Sequence, residues 1–155
     1  CGFHALSGHH TALYSSTGDI FRNSCDQALR LFHQAGFPKE MLLMGAAFYS
    51  RKWENVKDRY HGFLQYTEKG GGYGPNYDEL AEKYIDKNGY VSYWDDEAKA
   101  PFLFNGSTFI SYDDERSLAC KCRYVKEEGI GGIFYWCHTG DTSGVLLRKI
   151  GEEIR

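Results

Sequence analysis

Two runs without a single charge limit what this chain can fold into more than any other feature. The first is Met41-Leu42-Leu43-Met44-Gly45-Ala46-Ala47-Phe48-Tyr49, and the second is Gly131-Gly132-Ile133-Phe134-Tyr135-Trp136. Both have strand length, and a strand apolar at every position suits burial on both faces, as in a parallel sheet covered by helices. Each run follows a helical pattern. Over 26–35, Ala28, Leu29, Leu31, Phe32 and Ala35 share one face; Ser24 or Asn23 caps the start, and Gly36 and Pro38 stop it. Ahead of the second run, Asp113 or Asp114 caps a helix that turns Leu118, Cys122, Tyr124 and Val125 inward and ends at Gly129. A last amphipathic helix spans 145–154. Helix, short turn, buried strand is an α/β rhythm.

Between the runs that rhythm breaks. Residues 57–74 are polar and end in Gly70-Gly71-Gly72-Tyr73-Gly74, which reads as a flexible loop. Asn76 caps a short helix over 77–86 with Leu80, Ala81, Tyr84 and Ile85 on its apolar face, and Asn88-Gly89 turns the chain. Three short segments follow at 90–94, 101–104 and 107–112, with the hairpin pair Asn105-Gly106 between the last two. The middle is therefore an inserted antiparallel α+β subdomain, while 1–23 reads as a long loop. No repeat or low-complexity stretch occurs.

At 155 residues this is one domain's worth of chain, long enough to bury a core without metal or disulfide staples. A net charge of −3 with Lys and Arg scattered leaves no basic footprint, so no nucleic acid and no membrane surface is expected as a partner. No apolar run approaches the roughly 20 residues of a membrane span. The start, Cys1-Gly2, carries no leader and reads as cut from something longer. Five cysteines leave at least one thiol unpaired within the chain.

Most reactive-looking clusters have plainer readings. The glycine run lacks the Gly-Lys-Ser/Thr of a phosphate loop. His4, His9 and His10, with Cys1 nearby, lack partners at metal-ligand spacing, so no metal and no cofactor is expected. Cys137 and His138 are strand neighbours pointing to opposite faces, which does not suit a thiol and its base. Cys120 and Cys122 face different directions on a helix. Of the carboxylates Asp95, Asp96, Glu97, Asp113, Asp114 and Glu115, the last three open a helix, where capping accounts for them. Trp136 is different: it ends a buried parallel strand, the place where α/β barrels build their sites, and a flat ring there stacks on a sugar or a base. Core packing accounts for it equally well. Tyr49 has the matching position on the other strand.

Gly45-Ala46-Ala47-Phe48-Tyr49-Ser50-Arg51-Lys52-Trp53 is followed in order by distinctive segments at 98–102, 110–117 and 129–136, and together they resemble glycoside hydrolase family 18, the chitinases. The first segment is similar to that family's G-x-x-x-Y-G-R-x-W, with Ser50 in place of Gly. Ala98-Lys99-Ala100-Pro101-Phe102 resembles A-x-x-P-Y of its insertion domain. Ile110-Ser111-Tyr112-Asp113-Asp114-Glu115-Arg116-Ser117 resembles (I/V)-x-(Y/F)-D-D-x-x-S, and 129–136 resembles the last-strand G-(L/I)-G-G-x-x-x-W. Residues 8–14 are similar to the loop after the family's sixth strand. The matches are collinear and span nearly the whole chain.

The resemblance implies the C-terminal fragment of a (β/α)8 TIM barrel. Strands 7 and 8 with their helices would lie in 1–53 and 113–155, and the α+β chitinase insertion domain in 54–112. A whole barrel takes about 250 residues. It also implies hydrolysis of β-1,4-linked N-acetylglucosamine polymers with retention, the substrate's own N-acetyl carbonyl acting as nucleophile. The catalytic acid Glu ends a D-x-x-D-x-D-x-E motif that this chain lacks, so no catalytic residue is assigned and the fragment alone is expected to be inactive. Binding residues carry over: Trp136 as the floor under the reacting sugar, Tyr49 beside it, and Tyr77 from the insertion domain. Cys137 stands where acidic or small residues are common. Chitin or a related oligosaccharide, and the rest of the barrel or another copy of the fragment, are the implied partners, with an extracellular parent. Another N-acetylated glycan such as peptidoglycan, or a non-catalytic lectin-like member, are the alternatives.

Overall fold

A computed structural model describes residues 3–155; Cys1 and Gly2, and with them the Cys1 thiol weighed as a ligand, lie outside it. In chain order the elements are α1 (Cys25–Gln34), β1 (Leu43–Ala47), β2 (Tyr49–Trp53), β3 (Gly72–Asn76), α2 (Tyr77–Glu79), β4 (Val91–Asp95), β5 (Ala100–Phe104), β6 (Phe109–Ser111), α3 (Glu115–Glu128), β7 (Gly132–Trp136) and α4 (Val145–Glu153). They build two sheets. β1 and β7 pair in parallel, from Leu43 opposite Gly132 to Ala47 opposite Trp136. The others form an antiparallel sheet in the order β3-β2-β6-β5-β4.

The helices start and stop for local reasons. The Ser24 side chain accepts from the Gln27 N–H at the head of α1. Asp114 and Ser117 form a reciprocal capping box on α3, and Gly129, at φ 68°, ends it in the left-handed conformation that glycine alone adopts without strain. Asn105 Oδ1 accepts from the N–H groups of Ser107 and Thr108, closing the β5–β6 hairpin. One core joins β1, β7, α3 and α4 to the antiparallel sheet, gathering Phe48, Leu103 of β5, Ile110 of β6, Tyr112, Leu118, Cys122 and Leu146.

Five readings of the sequence need correction. The apolar run over 41–49 is not one strand: it breaks at Phe48, and Tyr49 opens β2 of the other sheet. The glycine run is not a free loop, because Gly72–Asn76 is the edge strand β3, and a Cβ on Gly74 would stand 2.3 Å from Ser50 Oγ. The helix expected over 77–86 is only Tyr77–Glu79 followed by a π turn over Leu80–Tyr84. Asp113 does not cap α3; it is buried in an ion pair with Lys121 at 2.7 Å. On α1, only Leu29 of the apolar face is buried, while Leu31 and Phe32 face solvent.

Phe48 is the joint between the sheets. Its N–H donates to the Trp136 carbonyl at 2.9 Å, and its own carbonyl accepts from the Tyr77 N–H at 3.1 Å. Its ring is wholly buried, stacked on Tyr135 at 4.5 Å between centroids.

Candidate sugar-binding site

One residue on each side of that joint faces the same hollow. Trp136 ends β7 and is 69% exposed, although most of the strand before it is half-buried. Tyr49 begins β2. Between them is a hollow of about 430 Å³, lined also by Arg51, Tyr73, Gly74, Asn76 and Cys137. Trp136 is one of several large apolar side chains left exposed, and it is set apart by standing at a strand end on the same hollow as Tyr49.

The opposite wall is an arginine among rings. The Arg51 guanidinium carbon lies 4.2 Å from the Tyr73 ring centre, 4.7 Å from that of Phe3 and 4.9 Å from that of Tyr49. Such contacts fix a long cationic side chain without an acidic partner. Behind Tyr49 lies the His10 ring, 5.5 Å away. Ser111 Oγ accepts from the His10 N–H at 3.0 Å, which leaves its hydroxyl proton for His10 Nδ1, also at 3.0 Å. Burial, helped by the Lys121 charge, pulls His10 well below its ordinary range. The imidazole is therefore neutral, and hydrogen-bond accounting puts its proton on Nε2.

Tyr77 is elsewhere. Its side chain is buried in the core, its phenol is pushed up to about 12 by burial and by Glu115 and Asp114, and it borders a separate hollow with Trp94 and Tyr112. The structure thus brings Trp136 and Tyr49 together and leaves Tyr77 outside. Sequence reasoning gave no role to Arg51, although it lies inside the quoted signature, and none to Tyr73, hidden in a glycine run read as loop.

The three histidines near the start, His4, His9 and His10, are packed into the fold. His4 stacks on Phe21, His9 Nε2 lies 2.9 Å from Asp95 Oδ2, and His10 bonds to Ser111. Among the described residues no three His, Cys, Asp or Glu side chains are arranged to hold a metal. Cys137 Sγ lies 3.1 Å from Thr139 Oγ1. No carboxylate of the described residues lines the hollow. The site therefore offers a flat ring, a phenol and a fixed cation: groups that bind and orient a ligand, without an acid to cleave it.

Comparison with known proteins gives a consistent result. The profile for "Glycosyl hydrolases family 18" matches residues 3–141. Chitinase A1 of Niallia circulans is 37% identical over 128 residues, covering 77% of this chain and 18% of that protein. A probable endochitinase of Caenorhabditis elegans is 35% identical, covering 85% of this chain and 23% of its own. Among solved structures, a family 18 N-acetylglucosaminidase from Paenibacillus barengoltzii superposes with a TM-score of 0.97 at 51% identity, over 98% of this chain and 45% of that one. The cell-surface-expressed chitinase of Paenibacillus sp. str. FPU-7 gives 0.88 at 41% identity, over 97% of this chain and 18% of that one. The chain thus spans less than half the length of each of these relatives.

Proposed function

Because this chain belongs to glycosyl hydrolase family 18, we propose that it forms the C-terminal wall and floor of a cleft in a glycosidase acting on β-1,4-linked N-acetylglucosamine chains. Trp136 is the floor and Tyr49 the wall. The exposed Trp136 ring, facing one hollow with Tyr49 at the carboxyl ends of parallel strands, is the observation that carries this reading. The reaction proceeds with retention: the substrate's N-acetyl oxygen attacks its own anomeric carbon while an acid protonates the departing oxygen. That acid belongs to a motif absent from these 155 residues, so the chain alone binds and does not cleave. Tyr77, buried off the hollow, acts on the cleft only through the Phe48 carbonyl that its N–H holds.

We assign 1–53 and 113–155 to the barrel and 54–112 to the insertion domain, whose sheet takes its second strand, β2, from the barrel side. An apolar hollow of about 470 Å³ bordered by Phe32, Phe37, Met41 and Leu43 receives the remainder of the barrel or a second copy of the chain. Among the described residues no helix is long and apolar enough to cross a membrane. A polymeric substrate, and the cell-surface expression of one relative, favour action outside the cell.

Titration calorimetry of the chain with N-acetylchitotetraose tests the reading. Binding is expected, with loss of about tenfold or more in Trp136→Ala, since a buried aromatic anchor carries a disproportionate share of affinity. A folded chain that takes up no sugar, or a variant that binds equally well, would overturn it. Release of single N-acetylglucosamine units is a second reading, favoured by the 51% identity to the Paenibacillus barengoltzii N-acetylglucosaminidase. Muramic-acid-containing oligomers in the same titration separate chitin from peptidoglycan. A lectin-like parent would show binding and no turnover in the complete barrel.

A further inference from the structure

The most heavily invested polar feature of the molecule is one that sugar binding does not touch. Lys121 and Asp113 are wholly buried, and their ion pair is complete to the last hydrogen bond. Lys121 Nζ donates to Asp113 Oδ2 and to Thr11 Oγ1, each at 2.7 Å, and to the Gly45 carbonyl at 3.3 Å. Asp113 also accepts from the Ala47 N–H at 3.0 Å, from Thr11 Oγ1 at 3.2 Å and from Ser117 Oγ at 2.7 Å. Burial alone would strip the proton from Lys121, but the Asp113 carboxylate outweighs it and holds the amine above its ordinary range.

Strand geometry says where this pair acts. The Leu42 carbonyl accepts from Gly131 and the Phe48 N–H donates to Trp136, so the even-numbered residues of β1 turn their backbone groups toward β7. Gly45 and Ala47 therefore point theirs to the other edge. There the Gly45 carbonyl meets Lys121 and the Ala47 N–H meets Asp113. Two side chains do what a neighbouring strand would otherwise do.

Two routes lead from this plug to the Tyr49 wall. Ala47 is two residues before Tyr49, so the end of β1 is held on one edge by Asp113 and on the other by the bond from Phe48 to Trp136. Thr11, gripped by both members of the pair, is the neighbour of His10, whose ring backs Tyr49.

We propose that Lys121 and Asp113 are positioning residues: a side-chain plug on the free edge of β1 that sets where Tyr49 stands opposite Trp136. A corollary concerns the fold around it. Any strand flanking β1 on that side stops short of Gly45, because its partners there are already taken. The functional part rests on the reading of Tyr49 and Trp136 as a sugar site, whereas the positional part does not.

The test uses Thr11→Val, which cuts the plug from the N-terminal loop but leaves the ion pair, and Lys121→Met, which removes it. N-acetylchitotetraose should bind Thr11→Val roughly three- to tenfold more weakly, and the loss should vanish when Tyr49 is already alanine, the signature of two residues acting as one. Losses that simply add, or no loss, would overturn the proposal. In parallel, the chain labelled with 3-fluorotyrosine should show the Tyr49 fluorine resonance moving in Thr11→Val. If the parent chain binds no sugar but that resonance moves, the sugar reading has failed and the positioning stands. A Tyr49 resonance unmoved in Thr11→Val, and in Lys121→Met should that variant fold, would sink the proposal whatever the sugar does.

Discussion

At the scale of single residues, close approaches decide more than chemistry does. A Cβ on Gly140 would stand 2.3 Å from the Phe48 carbonyl oxygen, and that is backbone which cannot swing aside. Gly140→Ala is expected to cost about 1–3 kcal/mol, as overpacking at rigid sites does, read as a lower urea midpoint; an unchanged midpoint would show that the post-Trp136 turn gives way. Glycine at 140 was plain in the sequence, but its neighbour was not, since Phe48 is 92 residues away. The same limit hid Lys121. A lysine on a helix reads as solvated, and nothing local reveals that Asp113, a carboxylate standing where helices are capped, turns inward to meet it. Trp136 was visible as a candidate because of its place at a strand end. Its exposure was not.

At the scale of elements, the loop over residues 4–23 is tied down where the sequence offered only polar text. His9 and the Ser16 hydroxyl both bond to Asp95 Oδ2, and Thr17 bonds twice to Glu97, each at 2.8 Å, so the loop is clasped to the β4–β5 turn. Burial pushes the Asp95 carboxyl up, but the His9 and Ser16 hydrogen bonds and the Ala98 N–H outweigh it and hold the group well below its usual range. A depressed carboxyl stabilises fully above its unfolded value of about 3.9 and loses that contribution as pH falls further. Asp95→Asn should therefore melt lower than the parent at neutral pH, with the gap closing in strong acid; a gap independent of pH would contradict this. The hairpin at Asn105-Gly106, the cap at Ser24 and the stop at Gly129 were all legible, because each depends on its own few residues. The edge strand β3 was not. Its glycines pair through backbone alone, and the partner that straightens them, β2, lies about 20 residues away in sequence. Capping was legible as well, so Asp114→Ala should lose about 0.5–2 kcal/mol of stability, seen as a lower melting temperature, with no loss refuting the box.

At the scale of the whole molecule, the α/β rhythm and the antiparallel middle were both readable, because periodicity and turn residues announce them. Two adjacent barrel strands imply open edges and an apolar face from the sequence alone, but not which residues form them. Leu43 is 54% exposed and Phe134 51%, and Ile133 and Tyr135 turn their backbone groups to an edge with no strand against it among the described residues. Edges and apolar faces of this kind pair with other chains. Light scattering of the chain should show mass rising with concentration, and Leu43→Lys should suppress it; a monomer at every concentration would mean these faces are harmless. The joint at Phe48 has a last consequence. One residue carries the chain from one sheet to the other, fixed at both its donor and its acceptor, with Gly140 pressed against its carbonyl. Mechanically this is a welded corner and not a hinge. A backbone shift on either side of such a corner has to carry both sheets with it, so the parallel pair and the antiparallel sheet move as one piece at this point.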